Sequence, residues 1–282
     1  MIRWTADEEG LAFHDLAAGR ARPDPAPLEI EIAPPPYRGK RLLPAVSWLV
    51  TNRLAATGAR ATWRVERRQG PDAPRSALEP LGWRLEAERA GRWLLLHGAV
   101  PPAHDLPPPR SFRVGGLEFE ADYGVFSPDR IDAGSALLLE AAARLAPVEA
   151  VADIGIGYGA LALSLVAGGV ARRAVGTEVD SIAAWLAERN AAAAGIPLEV
   201  ALDSDPLSVE RTELTVCNVP THLDARRSAA LMAALAERAR AGRLLAVVHA
   251  ELEDRYAQHL EAARLQVLRH RGEAHVVLEA LT

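Results

Sequence analysis

Residues 153–159 read Asp-Ile-Gly-Ile-Gly-Tyr-Gly, between an apolar run at Val148 to Ile154 and an alanine- and leucine-rich run at Ala160 to Ala167. Glycines at a strand-to-helix turn let the backbone approach a ligand closely and place it over a helix N-terminus. Gly155, Gly157 and Ala160 also satisfy the dinucleotide spacing GxGxxG/A, with an acid further on at Glu178. The loop by itself therefore serves either a nicotinamide dinucleotide or S-adenosylmethionine. Three carboxylate positions tilt the choice toward the second. Asp153 stands two residues before the first glycine, placed to accept a hydrogen bond from a ligand's amino group. Glu178 ends the next expected strand, where a carboxylate can bind both hydroxyls of a ribose. Asp203 or Asp205 follows the third strand, suited to an adenine amino group, and Asn218 and Pro220 close the fourth.

Strands and helices in alternation must bring these side chains together, and the apolar periodicity supplies them. Phe112 to Glu120 reads as a hairpin turning at Gly115-Gly116. Ser135 to Leu145 reads as a helix, with Asp132 and Ser135 as candidate caps. Strands follow at Ala174 to Glu178, Glu199 to Leu202, Leu214 to Cys217 and Leu244 to Val248. Helices are expected at Ser181 to Ala194, ended by Gly195, and at Arg226 to Ala241, ended by Gly242. The alternation predicts an α/β fold with a doubly wound, Rossmann-like sheet. Five prolines between Val100 and Arg110 predict a stiff linker at 101–111, dividing a domain at 1–100 from one at 112–282. A second break at 21–27 sets a short leader apart. The first domain echoes the second at an offset of 184 residues: Ile30 and Ile32 match Leu214 and Val216, Pro36 matches Pro220, and Gly58 matches Gly242. It reads as the second half of the same fold without the glycine loop.

Bulk properties bound the setting. With 282 residues, 49% of them hydrophobic and 24% charged, the chain can bury a sizeable core. No run approaches the roughly 20 apolar residues of a spanning helix, and the acidic start lacks a secretory apolar region. The single cysteine, Cys217, forms no internal disulfide and excludes a Cys-rich zinc site, so a reduced cytoplasm is expected. Net charge is −5, but residues 1–110 hold 16 basic and 13 acidic side chains, while the remainder holds 16 and 24. Within 38–68 stand Arg38, Lys40, Arg41, Arg53, Arg60, Arg64, Arg67 and Arg68 against Glu66 alone. The asymmetry points to a polyanion partner for the first half, or else to a solvated arginine-rich face.

Three stretches carry a family resemblance. Asp153 to Gly159 matches DxGxGxG, and Tyr123-Gly-Val-Phe-Ser-Pro-Asp-Arg-Ile-Asp-Ala-Gly-Ser-Ala-Leu-Leu-Leu matches a preceding GVFSxxxLDxGSxLLL. Asn218-Val-Pro-Thr-His stands where Asn-Pro-Pro, an aromatic and often His are found. Residues 112–282 thereby resemble class I S-adenosylmethionine-dependent methyltransferases, within them the small methyltransferase domain family that includes bacterial 16S rRNA guanine-N2 methyltransferases. Those rRNA enzymes also carry a degenerate methyltransferase-like N-terminal domain, as the echo suggests here. The resemblance implies S-adenosyl-L-methionine as cofactor, no metal, and rRNA or the small ribosomal subunit as partner. It places Asp153, Gly155 and Gly157 at the methionine side, Glu178 at the ribose and Asp205 (or Asp203) at the adenine. Phe126, Asp132 and Ser135 would line the cofactor pocket. Asn218, with Pro220, would accept hydrogen bonds from the target exocyclic amine.

The third stretch departs from the pattern. Val219 replaces a proline, and Thr221 replaces the aromatic that stacks on the flipped base. Such stacking is worth roughly 1–3 kcal/mol per base, so its loss weakens substrate binding ~10- to 100-fold. Restoring Pro at 219 and Phe at 221 is expected to raise activity. Tyr37, in Pro34-Pro35-Pro36-Tyr37, reads as structural, His222 as a loop histidine and Cys217 as a small core residue. Two other functions stay open: a catalytically weakened RNA-binding or assembly module, and a nicotinamide-dependent oxidoreductase.

Overall fold

The computed structural model describes residues 2–4, 28–32, 60–66, 75, 78–102, 110–122, 125–221 and 223–282. Two compact units divide the chain. One comprises Met1–Arg110 with Ala121–Pro128 and Asp180–Trp185; the other comprises Ser111–Glu120, Asp129–Val179 and Leu186–Thr282.

The first unit holds β1 (Ile2–Trp4), β2 (Leu28–Ile32), β3 (Arg60–Glu66), β4 (Glu86–Ala90) and β5 (Trp93–Ala99), in the order β1-β2-β3-β5-β4. β1, β2 and β3 run parallel, and β5 runs antiparallel to both β3 and β4. Trp63, Leu78, Trp83 and Leu96 are fully buried, with the two indoles edge to face at 5.3 Å.

The second unit opens on the expected hairpin, β6 (Ser111–Val114) and β7 (Leu117–Glu120). After it come α1 (Ala133–Ala142), β8 (Val148–Ile154), α2 (Ala160–Ala167), β9 (Ala171–Glu178), α3 (Ser181–Ala194) and β10 (Leu198–Leu202). The rest is β11 (Leu214–Asn218), α4 (Ala225–Ala239), β12 (Arg243–His249), α5 (Glu253–Ala262), β13 (Gln266–Arg271) and β14 (His275–Leu281). The sheet order is β10-β9-β8-β11-β12-β14-β13, parallel through β12, with β14 antiparallel to its neighbours. Helices cover both faces, so the central strands are apolar throughout. On β12, Leu244, Ala246 and Val248 join a core with Met232, Leu235, Tyr256 and Leu260. Leu245 and Val247 face the other core, with Leu138, Leu161 and Leu165. The chain reverses its winding between β8 and β11, which is where open α/β sheets bind ligands.

Strand order and direction in the first unit repeat β8-β11-β12-β14-β13 of the second. The sequence echo is therefore topological, but its fixed offset fails at the next strand. Ile30 faces Trp63, 33 residues on, whereas Leu214 faces Arg243, 29 residues on. The leader also needs correction, because Ile2–Trp4 is a sheet strand against β2. Gly58, Pro34 to Tyr37 and the linker core at 103–109 lie outside the described residues.

Three boundary corrections have physical causes. Helix α1 begins at Ala133, so Asp132 alone is the cap and Ser135 sits inside the first turn. Helix α5 and strand β13 were not anticipated: in EDRYAQHLEA the apolar face is only Tyr256, Ala257 and Leu260, at helical spacing but set among charges, and QVLRHR alternates little. Gly242 is required by crowding: a Cβ there would lie 2.5 Å from the Glu213 carbonyl oxygen and 2.6 Å from that of Thr212. Gly242→Ala should therefore destabilise the second unit by about 1–3 kcal/mol, as overpacking does. Chemical denaturation measures this, and an unchanged midpoint would contradict the close approach.

Candidate functional site

The carboxyl ends of β8 and β11 lie side by side, with Val216 paired to Asp153. From the first rises the glycine loop. Gly155 and Gly157 adopt φ of +75° and +60°, left-handed values that disfavour ordinary side chains. A Cβ at either would meet nothing within 4 Å, so this face of the loop is open. The N–H groups of Gly155 and Ile156 both donate to the Thr177 carbonyl, at 3.0 and 2.9 Å, and that of Gly157 donates to Glu178 Oε2 at 2.7 Å. The loop is thus laced to the end of β9.

Two supports escaped the sequence reading. Gly176 on β9 gives the loop room, since a Cβ there would lie 2.7 Å from Ile156 Cδ1 and 2.9 Å from the Asp153 carbonyl oxygen. Buried Asn190 on α3 donates to the carbonyls of Tyr158 and Glu120 and accepts the Glu120 N–H, tying the hairpin to the loop. The only advance sign of Asn190 was one polar residue before the alanine run that ends the helix.

Asp153 is 1% exposed. The residue flanking α2, Gly159, has no side chain to cap it, and Asp153 Oδ2 accepts the Ala162 N–H at 3.2 Å instead. Its Oδ1 is buried and finds no hydrogen-bond partner among the described residues. Burial, opposed by the Ala162 N–H and reinforced by the Glu178 charge, pushes the carboxyl up to about 7. Glu178 is also buried, and its Oε1 accepts the Val179 N–H at 2.8 Å.

Both Asp203 and Asp205 sit in the exposed loop after β10, forming successive turns in which Asp203 Oδ1 accepts the Asp205 N–H and Asp205 Oδ1 accepts that of Leu207. Buried Arg238 pins the far side of this loop, donating to the carbonyls of Pro206, Val209 and Glu210 and to Thr215 Oγ1. Burial lowers its proton affinity, and no sequence pattern announced it.

At the end of β11, Asn218 is half-buried. Its Nδ2 donates to Asp132 Oδ1 and Oδ2 at 3.3 and 3.2 Å and to Ser135 Oγ at 3.0 Å. Asp132 in turn accepts the N–H groups of Gly134 and Ser135. Asp132 and Ser135, expected along the cofactor pocket, thus meet the expected acceptor residue. Phe126 is 67% exposed and belongs to the first unit. Val219 is buried and its N–H donates to the Val247 carbonyl at 3.0 Å, extending the β11–β12 pairing. A proline there would forfeit that bond, a cost set against the expected gain from restoring it. Pro220 and Thr221 are exposed, and His222 lies outside the described residues. Cys217 is buried in the core, which raises its thiol well above the usual range.

Among the described residues, no group of three or more His, Cys, Asp or Glu could hold a metal ion, and no helix is long and apolar enough to cross a membrane. What the geometry offers is a glycine loop walled by carboxylates, next to a strand-end amide. Residues 116–278 match the family described as Methyltransferase small domain. No curated protein matches the chain. Among solved structures, the T. thermophilus 16S rRNA N2 G1207 methyltransferase in complex with AdoMet and guanosine aligns with a TM-score of 0.66 at 24% identity, over 91% of this chain and 72% of that one. The ribosomal protein L11 methylase from Lactobacillus delbrueckii subsp. bulgaricus aligns with a TM-score of 0.45 at 24% identity, over 52% and 76%. Since the family match spans more than half of the chain and contains the glycine loop and Asn218, the protein belongs to the methyltransferase small domain family.

Proposed function

We propose that the protein is an S-adenosylmethionine-dependent N-methyltransferase acting on a base of RNA, with guanine N2 of small-subunit rRNA the favoured acceptor. The observation that carries the first half of this reading is the charge at the glycine loop. The N–H groups of Gly155, Ile156 and Gly157 are already used, and two buried carboxylates stand behind them. A pyrophosphate needs free N–H donors, which this loop has already spent, so a nicotinamide dinucleotide suits it poorly. A ligand bearing an ammonium and a sulfonium suits it well.

The residues present fit that cofactor. Asp153 Oδ1 is an unpartnered acceptor for an ammonium group, whether directly or through water. Gly155 and Gly157 offer an open face, and the Glu178 carboxylate, at the end of β9 beside that loop, is the acceptor for ribose hydroxyls. Asp203 and Asp205 stand on the loop suited to adenine. When bound, S-adenosylmethionine supplies an electrophilic methyl group on sulfur. Asn218 accepts a hydrogen bond from the target amine and aims the nitrogen lone pair in line. With the cofactor bound in line, the methyl group would pass from sulfur to that nitrogen, and the amine's proton would leave to water. Positioning dominates over acid–base chemistry in such a step.

The RNA half of the reading rests on the aligned rRNA enzyme, which covers 91% of this chain, and on the basic first half. The first 100 residues serve here as a degenerate, RNA-binding methyltransferase-like domain joined through the proline-rich stretch. Arg38, Lys40, Arg41, Arg53, Arg67 and Arg68 lie outside the described residues, while Arg60 on β3 is exposed. A second reading, an RNA-binding or assembly module of weak activity, is favoured by one observation. Thr221 is exposed and presents no aromatic face to a flipped base.

S-adenosylhomocysteine at 100 times its dissociation constant should stabilise the protein by about 2.7 kcal/mol, or roughly 5–10 °C in Tm. Because the Asp153 carboxyl is pushed up to about 7, its ionised form is disfavoured in the unliganded fold. Stability without ligand should therefore fall as pH rises from about 4 to about 7 and then level off. An ammonium ligand needs the ionised form, so S-adenosylhomocysteine should bind up to tenfold more tightly per pH unit until about 7. Asp153→Asn should flatten both profiles; pH-independent binding in the wild type would remove Asp153 from the site.

Asn218→Ala should lower methyl transfer to rRNA on the order of 100-fold while keeping the cofactor-induced Tm shift. Labelled transfer and mass spectrometry of rRNA nucleosides measure it. An active variant would move the acceptor site elsewhere, and an inactive wild type on naked and assembled rRNA would favour the binding module. Replacing Arg38, Lys40 and Arg41 with Ala should weaken rRNA binding and flatten its salt dependence, by about 0.7–0.9 in log–log slope per lost phosphate contact. Unaltered affinity and slope would return the cluster to a solvated surface.

A further inference from the structure

We infer that Asp132, seconded by Ser135, is the positioning residue that fixes the polarity of Asn218, so that its carbonyl oxygen alone faces the acceptor. This deepens the methyl-transfer reading and rests on it for its catalytic consequence. An asparagine side chain is nearly symmetric in shape, so shape alone does not say which end faces the substrate. Chemistry says it here. An ionised carboxylate only accepts, and both oxygens of Asp132 lie at 3.3 and 3.2 Å from one atom of the Asn218 amide, with Ser135 Oγ at 3.0 Å from the same atom. That atom must be the Nδ2 donor, since an oxygen there would face two carboxylate oxygens. Oδ1 is left without a partner among the described residues, an acceptor that selects a nucleophile carrying an N–H.

The carboxylate is itself held. Asp132 Oδ1 accepts the Gly134 and Ser135 N–H groups at 3.0 and 3.2 Å, which anchors it to the first turn of α1. Gly134 permits this approach, because a Cβ there would lie 3.1 Å from Asp132 Oδ1 and 3.0 Å from His275 Cδ2. Helix α1 therefore orients Asp132, Asp132 orients Asn218, and Asn218 orients the acceptor.

Reversing the polarity tests the chain of command. In Asp132→Asn, the new amide still caps α1 with its oxygen, as asparagine does well. Its nitrogen, however, now faces Asn218 Nδ2, and the Asn218 amide should rotate to present nitrogen to the acceptor. The kcat for rRNA methylation should fall on the order of 100-fold, with the RNA KM and the cofactor-induced Tm shift nearly unchanged. Adding Asn218→Asp restores a donor–acceptor match across the pair and an acceptor toward the substrate. The double variant should recover at least tenfold over Asp132→Asn. A merely structural Asp132 would give no such rescue.

A second measurement is independent of turnover. The chain has three asparagines, Asn52, Asn190 and Asn218, so asparagine-specific 15N labelling gives three side-chain amide pairs. The pair lost in Asn218→Ala belongs to Asn218. In the wild type its protons should exchange slowly with water; Asp132→Asn adds a fourth pair, and there the Asn218 pair, identified by its loss on adding Asn218→Asp, should shift and exchange faster. An unmoved pair, or wild-type kcat in Asp132→Asn, would overturn the assignment. Should the amide signal respond while the wild type transfers no methyl group, the clamp stands and the methyl-transfer reading fails.

Discussion

Three carboxylates crowd the carboxyl edge of one sheet, and the site depends on how each is supplied with donors. An ionised carboxyl taken out of water is costly unless hydrogen bonds replace its hydration. Asp153 takes the Ala162 N–H, Glu178 those of Gly157 and Val179, and Asp132 those of Gly134 and Ser135 together with the Asn218 amide. Five of these six donors are backbone groups at the starts of helices or turns. The acids therefore organise the chain as much as they await a ligand: Asp153 caps α2, Glu178 ties the glycine loop to β9, and Asp132 begins α1. Only Asp153 keeps a buried oxygen unmatched, and its carboxyl is the one raised to about 7.

Supports behind that edge work by exclusion and anchoring. Gly176 and Gly242 allow backbones to approach where any side chain would collide. Asn190 joins hairpin, helix and loop through three hydrogen bonds, and Arg238 holds the 203–210 loop through carbonyls alone. The carbonyls lend Arg238 partial negative charge, so the cation stays solvated by the protein in place of water. Around the sheet, two apolar layers keep β8, β11 and β12 in register, which places the glycine loop next to Asn218.

The two altered positions of the Asn218-Val-Pro-Thr stretch differ in what the fold does for them. Val219 is a strand residue with a buried side chain and a bonded N–H, so its departure from proline is compensated by sheet pairing. Thr221, exposed at the loop, has no such compensation. Asn218, between the two, is held through its Nδ2 by Asp132 and Ser135.

Spacing along the chain was enough for β8, α2 and α3 to their terminal residues, because each is a long apolar or alanine-rich run bounded by glycine or a polar break. It was also enough to bring Asp153, Gly155, Gly157, Glu178 and Asn218 to one sheet edge, since strand ends in a doubly wound sheet share that edge. Helix α5 escaped notice because its apolar face, Tyr256, Ala257 and Leu260, is short and set among charges, and β13 because QVLRHR alternates little. What the acids do there was decided by the tertiary structure. Asp132 and Ser135 are 86 and 83 residues from Asn218, and which atom each one touches is a matter of angle and distance after folding. A sequence orders residues along one dimension, while a hydrogen bond is specified in three; polarity at Asn218 exists only once α1 and β11 are packed.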